Sequence, residues 1–228
     1  MSKLIDIGKN FKTTKNRNGF LPIYEKYFCD FENKQINILE IGIDDGESLR
    51  LWRKYFPNAN IVGLDIFSKD FKINGVKMFQ GDQSNISDLK KVTDLYNNFD
   101  IIIDDGSHVS KQTVKSFFYL FDFLNENGFY VIEDLQTSYL PNFGGSRINL
   151  KKYTSMNFIK SLTDSINYEL NDRPFFKKNK FDGNINFVHF FQNIAFIKKG
   201  KSNHYFYNKE IKNNFFNKIK KIISFFYK

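Results

Sequence analysis

One cysteine, Cys29, stands in 228 residues, so no disulfide can close within the chain and a cysteine-built zinc cluster is disfavoured. No apolar run approaches the roughly 20 residues that a membrane-spanning helix needs. The opening Met1-Ser2-Lys3-Leu4-Ile5-Asp6 lacks the apolar stretch of a signal peptide. These absences read as a cytoplasmic protein. There is no internal repeat. The full G-x-G-x-x-G pattern is missing too, which argues against a dinucleotide cofactor. A two-histidine, one-carboxylate iron triad is not evident, which leaves a hydroxylase with little support.

Hydrophobic residues make up 41% of the chain and charged residues 26%, which fits one globular domain rather than a disordered segment. The net charge of +9 invites a nucleic-acid partner. The lysines, however, are scattered until the C-terminal third, where they gather at 198–201 and 209–228. A basic tail can equally meet anionic sugar nucleotides or a membrane surface, and no nucleic-acid partner is expected.

From Ile36 onward strand and helix patterns alternate. Strands are expected at 36–41, 61–65, 76–80, 100–104 and 128–133, with helices at 48–55, 86–96 and 111–124 between them. A loop at 137–149 with Gly144-Gly145 could form a lid, and 153–163 reads as a helix. Two last strands, 187–191 and 194–198, meet at the tight turn Gln192-Asn193. The fold class is therefore α/β: a Rossmann-like, doubly wound, mostly parallel seven-stranded sheet with a closing antiparallel hairpin. Three segments are expected: an N-terminal cap or substrate segment at 1–32, the main domain at 33–200, and a basic amphipathic tail at 201–228.

The chemistry concentrates at strand ends. Ile101-Ile102-Ile103-Asp104-Asp105-Gly106-Ser107-His108 and Val131-Ile132-Glu133-Asp134-Leu135 are apolar runs closed by carboxylates. Buried parallel strands look like this, and ligands bind where their carboxyl ends emerge. Carboxylates with one imidazole could hold a hard metal ion and a general base. The plain alternative is that the acids cap strands or helices, and that His108 caps a helix or sits buried. Glu133 and Asp134 are adjacent and would face opposite sides of a continuing strand, so only a bend lets both reach one ion. His189, in a strand, reads as structural. Trp52 and Phe56 read as core.

Leu39-Glu40-Ile41-Gly42-Ile43-Asp44-Asp45-Gly46-Glu47-Ser48 joins the first strand to the first helix. Gly42 and Gly46 allow a tight turn and close approach of a ligand to the backbone. Asp65, closing the second strand, can hydrogen-bond both hydroxyls of a ribose.

These motifs together resemble class I S-adenosylmethionine-dependent methyltransferases. Within them the chain is similar to the metal-dependent macrocin- and mycinamicin-type sugar O-methyltransferases and to relatives grouped near cephalosporin hydroxylase. The likeness is carried by Glu40-Ile41-Gly42, residues 48–59, Gly63-Leu64-Asp65-Ile66, Gly81-Asp82-Gln83-Ser84, the Asp104–His108 run, Glu133-Asp134-Leu135-Gln136-Thr137-Ser138-Tyr139, and residues 187–196. It implies that Glu40, Gly42, Asp65, Asp82 and Gln83 line the cofactor pocket, with Asp104 secondary and open to cofactor, metal or backbone amides. It implies that Asp105, Glu133 and Asp134 hold a divalent metal, Mg²⁺ first and Mn²⁺ or Fe(II) as alternatives, with His108 as the base. The implied partner is a sugar or sugar-nucleotide acceptor, and a homo-oligomer is expected.

The chain departs from the pattern in two places. Glu47 follows Gly46 where many relatives have a small residue, and Gln136 stands for a frequent histidine. The competing readings are a methyltransferase acting on a non-sugar small molecule and a non-catalytic basic binding module. In the tail, Ile211, Phe215, Ile219, Ile222 and Phe226 lie at near-helical spacing among lysines. Packing on the domain or on a partner subunit is favoured there over a membrane surface.

Overall fold

The computed structural model describes residues 3–147, 153–170 and 178–201. Seven strands form one sheet: β1 (Asn37–Ile41), β2 (Asn60–Asp65), β3 (Val76–Gln80), β4 (Phe99–Asp104), β5 (Leu124–Ile132), β6 (Ile185–Phe191) and β7 (Ile194–Lys199), in the order β3-β2-β1-β4-β5-β7-β6. The first five are parallel, and β7 runs antiparallel to both β5 and β6. This is the expected sheet with its closing hairpin. Among the described helices are α1 (Lys3–Gly8), α2 (Thr14–Arg17), α3 (Leu21–Phe28), α4 (Glu47–Tyr55), α5 (Ile86–Leu95), α6 (Ser110–Leu120) and α7 (Ser155–Ile166).

Alternation along the strands splits the core in two, because successive side chains point to opposite faces. Ile38, Ile61, Ile101, Ile103 and Val131 pack on one face with Tyr24, Phe28, Leu49 and Trp52, from α3 and α4. Leu39, Val62, Ile102, Tyr130 and Ile132 pack on the other with Leu89, Phe117, Leu120 and Ile159, from α5, α6 and α7. Both faces are covered, which is why the strands read as continuous apolar runs. Segment 3–31 packs into the first of these cores: Tyr24 and Phe28 are fully buried and meet Trp52 and Phe196 edge-on.

The chain order reverses between β1 and β4, and a crevice opens beyond their carboxyl ends. The basic tail from Ser202 on, His204, the end of the 137–149 loop and part of 171–184 lie outside the described residues. Among the described residues no helix is long and apolar enough to cross a membrane.

Candidate active site

A cleft of about 500 Å³ lies over the carboxyl ends of β1, β2 and β4. One wall is the turn from β1 into α4. Gly42 has φ +91°, and a Cβ there would strike the Asp105 carbonyl, so only glycine lets these two strand ends close together. Asp65 stands across that turn. Its Oδ2 accepts from the amides of Ile43 (2.8 Å) and Asp44 (3.2 Å), its Oδ1 from that of Phe67 (2.9 Å), and Lys69 pairs with it at 3.0 Å. Burial opposes ionisation of Asp65, but the amides of Phe67 and Ile43 and the Lys69 ammonium outweigh it and hold the carboxyl below its usual range. Asp82 is fixed by the Ser84 amide at 2.6 Å. Gln83 accepts from the Ser107 amide at 2.7 Å and donates to Asp104 at 3.0 Å. Gly42, Asp65, Asp82 and Gln83 all line the cleft.

The structure does not bring Glu40 or Asp104 to that wall. Both side chains point into the sheet's faces and are buried. Glu40 accepts from Ser48 at 2.9 Å and pairs with Lys15 at 3.0 Å. Asp104 accepts from Ser116 at 2.7 Å as well as from Gln83, and burial pushes its carboxyl up. Each bonds to a residue that lines the cleft, Ser48 for Glu40 and Gln83 for Asp104.

The opposite wall carries Asp105, His108 and Asp134, all half-buried. One ligand atom of each lies within 4.8 Å of the others, a spacing that could hold a metal ion. His108 Nε2 is 3.5 Å from Asp134 Oδ2, and the Gln136 amide donates to Asp134 Oδ1 at 3.1 Å. Asp44, His108 and Asp134 have φ of +47°, +55° and +52°. Aspartate and histidine are among the non-glycine residues that enter this left-handed region most readily, and here it aims three side chains of one cleft.

The bend needed after β5 is therefore present at Asp134, but it separates the neighbouring acids. Asp134 turns into the cleft, while Glu133 points inward, accepts from the Tyr24 hydroxyl and pairs with Lys15 at 2.8 Å. Glu133 does not join the cluster of Asp105, His108 and Asp134. Burial and the Asp105 carboxylate push Glu133 up, to about 8, against the pull of Lys15.

Sequence reasoning missed Lys15 and the contact made by Gln136. Lys15 is fully buried and pairs with Asp105 at 2.6 Å in addition to Glu40 and Glu133. The available signal was an excess of acids at three buried strand ends, which needs a cation nearby. Glu47, noted as an unusual residue after Gly46, accepts from the Lys12 amide at 2.9 Å and ties segment 12–15 to the glycine turn. Thr13 and Thr14 consequently line the cleft. Tyr24 lies beneath the site, and Tyr139 is exposed.

No family model matches the chain. Over 193 residues it is 38% identical to a mycinamicin VI 2''-O-methyltransferase of Micromonospora griseorubida, an alignment covering 80% of this chain and 48% of that protein. It is 37% identical over 191 residues to a demethylmacrocin O-methyltransferase of Streptomyces fradiae, with 79% and 48% covered. Among solved structures, the MycE methyltransferase from the mycinamycin biosynthetic pathway, in complex with Mg and SAH, matches with a TM-score of 0.82 at 36% identity, covering 88% of this chain and 55% of that one. The chain spans about half the length of the curated relatives it matches.

Proposed function

The chain carries a class I S-adenosylmethionine-dependent methyltransferase fold related to the macrocin- and mycinamicin-type sugar O-methyltransferases, and from that premise we propose that it moves a methyl group from S-adenosylmethionine to a sugar hydroxyl with the help of a divalent metal ion. The observation that carries this reading is the meeting of Asp105, His108 and Asp134 on the wall of the cleft that Gly42 opens.

The residues present fit both groups. For the cofactor, the bare backbone of Gly42, the ionised Asp65 and the polar ends of Asp82 and Gln83 suit a nucleoside with an attached cationic chain. For the metal, the carboxylates of Asp105 and Asp134 would hold it, a donor set that suits Mg²⁺ or Mn²⁺, with Fe(II) as the alternative. A divalent ion, when bound, lowers the barrier to losing a proton from a very weakly acidic sugar hydroxyl.

The chain's own residues do the rest. His108 would accept the hydroxyl proton at Nε2, the nitrogen facing the cluster, and the Asp134 carboxylate beside it would stabilise the imidazolium that forms. Gln136 holds Asp134 in place for that task. Segment 12–14, tied down by Glu47, walls the cleft and keeps water from the transferring methyl. The acceptor proposed is a nucleotide-linked, glycan or natural-product sugar, and the relatives support the last of these, being named for acting on mycinamicin VI, demethylmacrocin and a rhamnosyl tetracenomycin.

The test is methyl transfer from labelled S-adenosylmethionine to a panel of sugar and sugar-nucleotide acceptors, with Mg²⁺ or Mn²⁺ and then with chelator. Transfer that stops on chelation and is restored by metal supports the proposal. Transfer that survives both exhaustive chelation and His108→Ala refutes it.

A further inference from the structure

Lys15 is the residue that the transfer chemistry leaves unused. Its ammonium has no exposure to solvent and lies 2.6 Å from Asp105 Oδ2, 2.8 Å from Glu133 Oε1 and 3.0 Å from Glu40 Oε1. Those acids come from three neighbouring strand ends: within β1, just past β4 and just past β5. The lysine enters from α2, whose N-cap Thr13 accepts from the Lys15 amide and lines the cleft. Three carboxyl groups converge on this one ammonium, and only Asp105 of the three also belongs to the cluster able to hold a metal.

We propose that Lys15 is a positioning residue of the metal centre: a permanent cation built into the chain, holding Glu40, Asp105 and Glu133 at one point. Asp105 is gripped through one carboxylate oxygen and offers the other to the exchangeable ion. This deepens the metal-assisted reading and rests on it only for that exchangeable ion. The ammonium occupies a cation position, so the buried acids stay assembled whether or not a metal is bound. It also follows that the wild-type chain takes one divalent ion at the cleft, and that taking the ammonium away opens a second cation position behind it.

The experiment is Mn²⁺ titration, read by the electron paramagnetic resonance of the free ion, on chelator-stripped wild type, Lys15→Ala, Asp134→Asn and the double variant, with thermal unfolding followed in the same samples. Wild type should bind one ion, and Asp134→Asn should bind it at least about tenfold more weakly. Lys15→Ala should take up an additional ion, this ion should persist in the double variant, and Mn²⁺ should raise the unfolding temperature of Lys15→Ala more than that of wild type. A folded Lys15→Ala that binds no more Mn²⁺ than wild type overturns the proposal. So does a Lys15→Ala that is unfolded and is restored neither by Mn²⁺ nor by n-propylammonium, the missing group supplied in solution. If wild type binds no ion and Lys15→Ala does, the metal-assisted reading fails while the role of Lys15 stands. A lysine serving packing alone would move none of the ion counts.

Discussion

Two groups of acids meet at Asp105. On the buried side, Glu40 and Glu133 share the ammonium of Lys15 with no access to water. On the open side, Asp134 stands in the cleft with His108 and Gln136 as its partners. The residue types are nearly the same, and the difference is the source of the compensating charge. A buried carboxylate must be neutralised by something that folds with it. A half-buried one can wait for an ion from solution. The first group is architecture for the second.

Variants can break this contrast from either side. His108→Ala should act on chemistry alone, lowering the methyl-transfer rate by about 10²–10⁴-fold, the usual worth of a general base. Metal affinity measured on the same protein should stay within a few-fold of wild type. A large loss of metal affinity would instead make His108 a ligand, as its place in the cluster also allows. Lys15→Met should act on stability, costing about 3–5 kcal/mol in denaturant unfolding with chelator present, because it takes from the buried acids the one cation they share. Gln136→Ala should loosen Asp134 and weaken divalent-ion binding by about 10–100-fold with little change in stability, a result that calorimetry would show.

The smallest expected effect belongs to Asp65, outside both groups. Its carboxyl is held below the usual range in the folded chain, so the unfolded chain takes up its proton first as the pH falls. The stabilisation it supplies is complete above about pH 4, its ordinary value, and disappears as the pH drops through the lower folded value. The stability gap between wild type and Asp65→Asn should therefore close below about pH 4, and acid unfolding curves of the two proteins would show it.

The sheet was legible because its strands are buried on both faces and its helices carry one apolar stripe. Every strand expected from Ile36 onward is present, and most ends agree to within a few residues. The clear exception is β5, which begins at Leu124 rather than Gly128. Asn125-Glu126-Asn127 has the polarity of a turn, yet Leu124 pairs with Phe99 across a register shift, and tertiary pairing overrides local preference there. In the site, Gly42, Asp65, Asp82 and Gln83 could be read because their demands are local: a turn and strand ends facing a crevice. Adjacency alone predicted that Glu133 and Asp134 would part unless the chain bent, and the bend at Asp134 parts them all the same. The acids called for a cation, but that Lys15 supplies it could not be read. A lysine after two threonines looks like surface, and its burial depends on acids 25, 90 and 118 residues further along the chain.

The most direct test of the central claim is calorimetric titration of wild type and Asp134→Asn with S-adenosylhomocysteine and with Mg²⁺, each with the other absent and present. S-adenosylhomocysteine should bind both proteins in the micromolar range, about −8 kcal/mol, and Mg²⁺ should bind wild type well and Asp134→Asn poorly. Folded wild-type protein that binds no S-adenosylhomocysteine, or an Asp134→Asn variant that binds Mg²⁺ as wild type does, would contradict it.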